Sequence, residues 1–217
     1  MNVIFTWMFH TETIKYGPVE VNLLYFENFE MEQHLHNLLP DEQLRTEQFG
    51  NDLRKREYIA TRVLRTMIFG NEPILYSPIG APYIKEEGFI SISHAHQVVG
   101  LAFSRDFPIG LDLEPIRDKV LRVSSKFLSD QEKVELDTEN VIEMIKVWSG
   151  KEALYKLAGR KGIIFAKELS LKKKNDLLWN GEINFPDVEK HVELTIDEKN
   201  DFVISINASP VYDHRKK

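Results

Sequence analysis

The chain has 217 residues, 42% of them hydrophobic, enough for one sizeable domain or two small ones around a real core. No apolar run reaches transmembrane length, and Met1–His10 lacks the basic flank, apolar stretch and cleavage site of a secretory leader. The absence of cysteine excludes disulfides, thiolate nucleophiles and Cys-ligated zinc, and a net charge of -6 argues against a generic nucleic-acid binder; a reducing compartment, by default the cytoplasm, is expected.

In chain order, Val3–Phe9 and Val21–Phe26 read as strands and Glu30–Leu39 as a short helix closed by Pro40. Asp41 is placed to cap a helix beginning at Glu42. Leu53–Phe69 is the clearest early helix: Leu53, Ala60, Val63, Leu64, Met67 and Ile68 recur at helical spacing, Gly70 supplies a stop, and Arg54, Arg62 and Arg65 occupy the other face. Phe89–Ser93 and Val98–Ser104 read as strands around His94-Ala95-His96, followed by a turn at Asp106–Pro108.

The next strand, ended by Pro115, points Ile109, Leu111 and Leu113 one way and Asp112 and Glu114 the other, because side chains alternate with period two. Ser129, with Glu132 at the capping-box position, predicts a helix to about Leu136. A longer helix is predicted from Asn140 to Ala158 with Gly159 as terminator, although Gly150 inside it costs about 1 kcal/mol relative to Ala. Short strand-like runs follow at Val192–Ile196 and Phe202–Ile206. With no repeat and no low-complexity linker, the pattern predicts an α+β fold with antiparallel strands.

Glu152 and Lys156 lie one turn apart on a helix face, a spacing that equally serves a surface ion pair. Asp112, Glu114, Glu152 and Lys156, if they converge, suit a divalent cation holding a phosphate or diphosphate, since Mg²⁺ prefers hard oxygen ligands and the ammonium can neutralise a leaving phosphate. Charge is unevenly spread: residues 1–50 hold eight acidic and two basic side chains, whereas 156–174 hold seven basic residues against Glu168. Arg117, Lys119, Arg122 and Lys126 stand against Asp118 in the segment 115–127. Basic side chains thus flank the acidic motif and can draw an anionic ligand or an acidic partner. His94-x-His96 alone would also fit a metal hydrolase, but further histidine ligands in matching context are lacking.

With these residues laid out, the chain resembles the 4′-phosphopantetheinyl transferases of the larger, Sfp-like type over about residues 38 to 165. Leu39-Pro40-Asp41-Glu42 through Tyr58–Arg65 is similar to an early helix pair ending in A-x-R-x-x-L-R. Ile92-Ser93-His94 is similar to an I-S-H-S block, Gly110–Glu114 to G-[IVL]-D-[IVL]-E, and Trp148–Lys156 to W-x-x-K-E-x-x-x-K; Phe127–Glu132 resembles a further Phe/Glu segment. Each block is weak or moderate by itself, but four in the family's order are specific.

The resemblance implies a pseudo-twofold pair of similar α+β subdomains, 1–105 and 106–217, with coenzyme A between them, and transfer of its 4′-phosphopantetheine arm to a serine of an acyl or peptidyl carrier protein. It makes Asp112, Glu114 and Glu152 the Mg²⁺ ligands, Glu152 the general base and Lys156 the group that stabilises departing 3′,5′-ADP. Arg62, Ser93, His94, Lys151 and Lys156 become contacts to coenzyme A, Trp148 a core residue, and the protein a monomer. Carriers of this kind are acidic helical bundles, so the basic stretch 117–126, interleaved with Val120, Leu121 and Phe127, is expected to meet one. The alternatives are an inactive relative that only binds coenzyme A or a carrier, and another Mg²⁺-dependent phosphodiesterase or nuclease. Gly80-Ala81-Pro82 departs from the family's G-[KR]-P, so a phosphate contact is absent or supplied from elsewhere, Lys85 being a candidate. Ala95 replaces the last serine of the I-S-H-S block, and Glu47-Gln48-Phe49 lacks the basic residue that often precedes the early Phe.

Overall fold

The computed structural model describes residues 10–27 and 30–215, so the strand expected over Val3–Phe9 lies outside the described residues. The chain is α+β, with two antiparallel sheets. The first contains β1 (His10–Tyr16), β2 (Val19–Tyr25), β3 (Leu75–Tyr76), β4 (Pro82–Ile84), β5 (Gly88–Ala95) and β6 (Val98–Ser104), in the order β1-β2-β6-β5-β4-β3. The second contains β7 (Leu111–Pro115), β8 (Leu169–Lys173), β9 (Leu178–Asn184), β10 (Val188–Lys199) and β11 (Phe202–Asn207), in the order β7-β11-β10-β9-β8, with β12 (Tyr212–Arg215) paired to β10. The chain changes sheet between Ser104 and Leu111. Hydrophobic alternation misses β1, β3, β4, β8, β9 and β12: β1 is polar and largely at the surface, and the others are short or rich in Lys, Glu and Asn.

Helices α1 (Pro40–Thr46) and α2 (Asp52–Phe69) accompany the first sheet, preceded by a 3₁₀ turn at Met31–Asn37. The Asn51 side chain accepts the Arg54 N–H and starts α2, which buries Ile59, Ala60, Val63 and Leu64 in a cluster with Leu24, Val99 and Leu101. On its polar face Arg54 stays exposed, but Arg62 and Arg65 turn inward. Arg62 Nε lies 3.2 Å from Glu42 Oε1, and fully buried Arg65 lies 2.8 Å from Glu42 Oε2. Glu42 also accepts the Leu39 N–H, so α1 begins at Pro40 and Glu42, rather than Asp41, supplies the cap.

The second half adds α3 (Lys119–Val123), α4 (Asp130–Glu135), α5 (Val141–Ala158) and α6 (Phe165–Glu168). Ser129 and Glu132 form the expected capping box, and Asn140 and Gly159 bound α5 as their chemistry predicts. Gly150 leaves α5 regular: a Cβ there would lie 2.7 and 2.8 Å from the Leu171 and Ile196 side chains, so the missing methyl lets helix and sheet approach. Leu111 and Leu113 of β7 pack with Val21, Leu23 and Ala102 of the first sheet and with Phe202, Ile204 and Ile206. The halves therefore share a core at β7. No helix among the described residues is long and apolar enough to cross a membrane.

Candidate active site

The geometry of the site starts from β7 as an edge strand. One side pairs with β11, Asp112 opposite Ser205 and Glu114 opposite Val203. On the other side no strand follows among the described residues; the Leu111 N–H donates to Ser91 Oγ (2.9 Å) and the Leu113 N–H to Ser93 Oγ (3.0 Å). Two hydroxyls spaced i, i+2 on β5 thus stand in for a neighbouring strand and join the sheets, each bond worth about 1 kcal/mol. The sequence reading does not single out Ser91, although its alternation with Ser93 carries the signal.

With Leu111 and Leu113 committed to the core, Gly110, Asp112 and Glu114 share the face toward α5. A Cβ on Gly110 would collide with the backbone carbonyl of Ala153 and lie 2.9 Å from Leu157 Cγ. The glycine of the G-L-D-L-E run thus permits the approach that sets Glu152 and Lys156 beside the strand carboxylates. Gly110→Ala is expected to destabilise by roughly 3 kcal/mol by separating β7 from α5. Chemical denaturation of the variant reads this; stability within about 0.5 kcal/mol of the parent would show the contact to be easily relieved.

Asp112 is buried, and its Oδ1 accepts from Ser93 Oγ (3.0 Å) and from Lys156 Nζ (3.1 Å), which also donates to the Leu111 carbonyl (2.5 Å). Asp112 Oδ2 is buried without a hydrogen-bond partner among the described residues. Burial, then the Asp112 charge and Glu152, push the Glu114 carboxyl up from 4.5 to about 7, against a hydrogen bond from the Trp148 side chain. Burial and the Asp112 charge likewise lift Glu152 from 4.5 to about 7, against the pull of Lys156. Trp148 is thus more than the core residue expected: it rests on Phe127 and Phe165 and holds Glu114.

Among the described residues no group of three His, Asp or Glu side chains already stands arranged to hold a metal ion. What fits a cation is the donor chemistry: oxygen ligands only, one of them an orphaned buried oxygen, and two carboxylates that resist ionising beside a third. A hard divalent ion would relieve that repulsion. Between pH 4.5 and about 7 the folded protein holds protons that the unfolded chain has released, so Glu114 and Glu152 make stability fall as pH rises through this window. Accordingly, Mg²⁺ should raise the melting temperature more at about pH 8 than at about pH 5, where protons compete with it. Melts in Mg²⁺ and in chelator at both pH values check this, and an equal increment would contradict it.

Beside the carboxylates lies a cavity of about 430 Å³ between the halves. Its first-sheet wall carries Phe49, Arg54, Tyr58, Arg62 and His94, with Gly80–Pro82; its other wall carries Tyr155, Lys156, Gly159, Arg160 and Lys161. Lys156 is the link, lining the cavity while touching Asp112. His94 sits at the mouth, Nδ1 3.4 Å from Glu57 and Nε2 2.9 Å from Arg54 NH1, and partial burial with the Arg54 and Lys156 charges lowers its pKa despite Glu57. Arg62 reaches the cavity with its guanidinium over the Tyr58 ring and its Nε on Glu42.

Three expectations change. Ser93 does not line the cavity; its hydroxyl is spent on Leu113 and Asp112. Lys151 does not face it either: fully buried, its Nζ lies 2.6 Å from both Glu132 Oε2 and the Phe127 carbonyl, which makes it a structural ion pair in place of the expected phosphate contact. Lys85 is exposed, 3.7 Å from Glu86, and supplies nothing to the cavity. Residues 108–206 match the family model of the 4′-phosphopantetheinyl transferase superfamily, a span holding Asp112, Glu114, Glu152 and Lys156 but none of the first-sheet wall. No curated protein matches the chain.

Proposed function

We propose that the protein transfers the 4′-phosphopantetheine arm of coenzyme A to a serine of an acyl or peptidyl carrier protein, as a monomeric transferase of the larger, two-subdomain type cut near residue 105. The observation that carries this reading is the meeting of Asp112 and Glu114 on β7 with Glu152 and Lys156 on α5, inside the span that matches the superfamily and beside a cavity walled by both halves.

Asp112, Glu114 and Glu152 would hold Mg²⁺, which when bound supplies positive charge to the diphosphate. Glu152, lifted to about 7, is suited to take the proton of the carrier serine at neutral pH. The serine oxygen bonds to the phosphorus bearing pantetheine as the bridging P–O bond breaks, and 3′,5′-ADP leaves with the electron pair. Lys156, held by Asp112 and the Leu111 carbonyl, faces that leaving charge. Phe49 and Tyr58, with ring centroids 5.2 Å apart, offer an aromatic wall to the adenine base, and His94 and Arg62 lie within reach of phosphate.

Arg117, Lys119, Arg122 and Lys126 are exposed along and around α3, while Val120 and Phe127 turn into the core rather than outward. The ridge left is basic rather than amphipathic and suits an acidic helical partner. Lys119→Glu with Arg122→Glu should raise the KM for carrier at least about tenfold and leave coenzyme A affinity unchanged; steady-state kinetics with each substrate varied decides, and parallel loss of both would remove the ridge from docking. The reading itself is tested by weighing an apo carrier after incubation with coenzyme A, Mg²⁺ and the protein. A gain of one phosphopantetheine arm is expected, and an unchanged mass across several carriers would overturn it.

A further inference from the structure

The second sheet has a face that the transfer chemistry leaves unused. On β10, Val192, Leu194 and Ile196 are buried in the core under α5, so alternation turns Glu189 and His191 to the opposite face. Register gathers partners for them there. His191 stands opposite Glu182 of β9 and Tyr212 of β12, and Glu189 stands opposite His214 of β12, so imidazoles and carboxylates from adjacent strands share one patch. Asp112 pairs with Ser205, which pairs with Ile196, and all three therefore point to the α5 side. The patch and the carboxylates between β7 and α5 lie on opposite faces of the sheet.

The patch has metal-ligand chemistry and spacing. His191 Nε2 lies 2.9 Å from Glu189 Oε1 and its Nδ1 3.8 Å from Glu182 Oε1, while Glu182 Oε2 accepts from Ser170 Oγ at 3.1 Å. Neither glutamate is paired with Lys or Arg among the described residues. The His191 and His214 ring centroids are 5.3 Å apart, with the planes at 71°. Two imidazoles on one tetrahedral ion, each nitrogen about 2 Å from it, have centroids about 5 Å apart, and any two donor atoms on that ion are about 3.3 Å apart. The rings already stand at the first spacing, and the contact from His191 to Glu189 has to open by about 0.4 Å to reach the second. The donors do not yet converge on one point, but His214 is exposed, so its side chain can turn to close the set without disturbing the core.

We propose that His191, His214 and Glu189 bind a borderline divalent cation of the Zn²⁺ class, with Glu182 orienting His191 through its other ring nitrogen and water completing the tetrahedron. Imidazole with carboxylate favours Zn²⁺, Ni²⁺ or Cu²⁺ and holds Mg²⁺ and Mn²⁺ weakly, whereas the oxygen-only set of Asp112, Glu114 and Glu152 suits Mg²⁺. Bound there, the ion ties β12, four residues long, to β10. The site does not depend on the transferase reading, and its test needs no turnover.

Calorimetric titration of the full chain with Zn²⁺, in excess Mg²⁺ to fill the oxygen site, should include one equivalent that His191→Ala and His214→Ala each weaken at least about a hundredfold. Glu182→Gln should weaken it about tenfold and leave metal-free hydrogen exchange unchanged, which separates orientation of the ligand from support of the fold. In the parent, Zn²⁺ should slow hydrogen exchange over β12 by about tenfold, and in either histidine variant it should not. A parent that takes up no Zn²⁺, or uptake left intact by both histidine variants, would overturn the site. Exchange over β12 that Zn²⁺ leaves unchanged would overturn the tie to β10, and parental affinity in Glu182→Gln would remove Glu182 from it.

Discussion

Glu152→Gln is expected to lower phosphopantetheine transfer by about a thousandfold or more while leaving the protein folded. The carboxylate is asked to do two things that an amide cannot: carry charge beside Asp112 and Glu114, and accept a proton from the incoming serine. Its side chain spends its ionisation energy against burial and the Asp112 charge, so removing the charge relieves the fold. In chelator above pH 7 the variant should therefore melt no lower than the parent, and its response to Mg²⁺ should be largely gone. Single-turnover transfer and melting curves on one preparation read both effects. Transfer within about tenfold of the parent would remove Glu152 from the chemistry, and a lower melting temperature would make its role structural.

The largest stability effect is expected one residue away. Lys151→Ala should cost about 3–5 kcal/mol, seen as a drop in melting temperature of roughly 10 °C. Lys151 is fully buried, and Glu132 Oε2, its counter-charge at 2.6 Å, also accepts the Ser129 N–H at 2.7 Å, while Oε1 accepts the Leu171 N–H at 2.9 Å. Removing the ammonium strands a buried carboxylate that joins α4, α5 and β8. Lys151→Met combined with Glu132→Gln, which removes both charges together, should recover part of the loss. Unchanged melting with weakened coenzyme A binding would restore Lys151 to the ligand.

The contrast between these neighbours was legible in the helix period. Val147, Lys151, Leu154 and Ala158 lie at i, i+4, i+7 and i+11 and are all buried, whereas Trp148, Glu152, Tyr155 and Lys156 occupy the half-open face toward β7 and the cavity. Reading the W-x-x-K-E-x-x-x-K run as one functional block hid that stripe. Alternation did place Asp112 and Glu114 together, and caps at Asn51, Ser129 and Asn140 set the helix starts. What local pattern cannot carry is tertiary: hydroxyls of Ser91 and Ser93 substituting for a strand beside β7, Glu42 drawing Arg62 and Arg65 out of solvent, and the return of Arg160 and Lys161 to the cavity rim. Each depends on a partner at least nineteen positions away in the chain or on a backbone turn set by glycine.

Anomalous diffraction from crystals soaked with Mn²⁺ and coenzyme A is the most direct test of the metal site between β7 and α5. A peak bonded to oxygens of Asp112, Glu114 and Glu152, with the diphosphate on its open side and Lys156 alongside, is the expected result. Ordered coenzyme A with its diphosphate elsewhere, or a metal peak away from these three carboxylates, would contradict it.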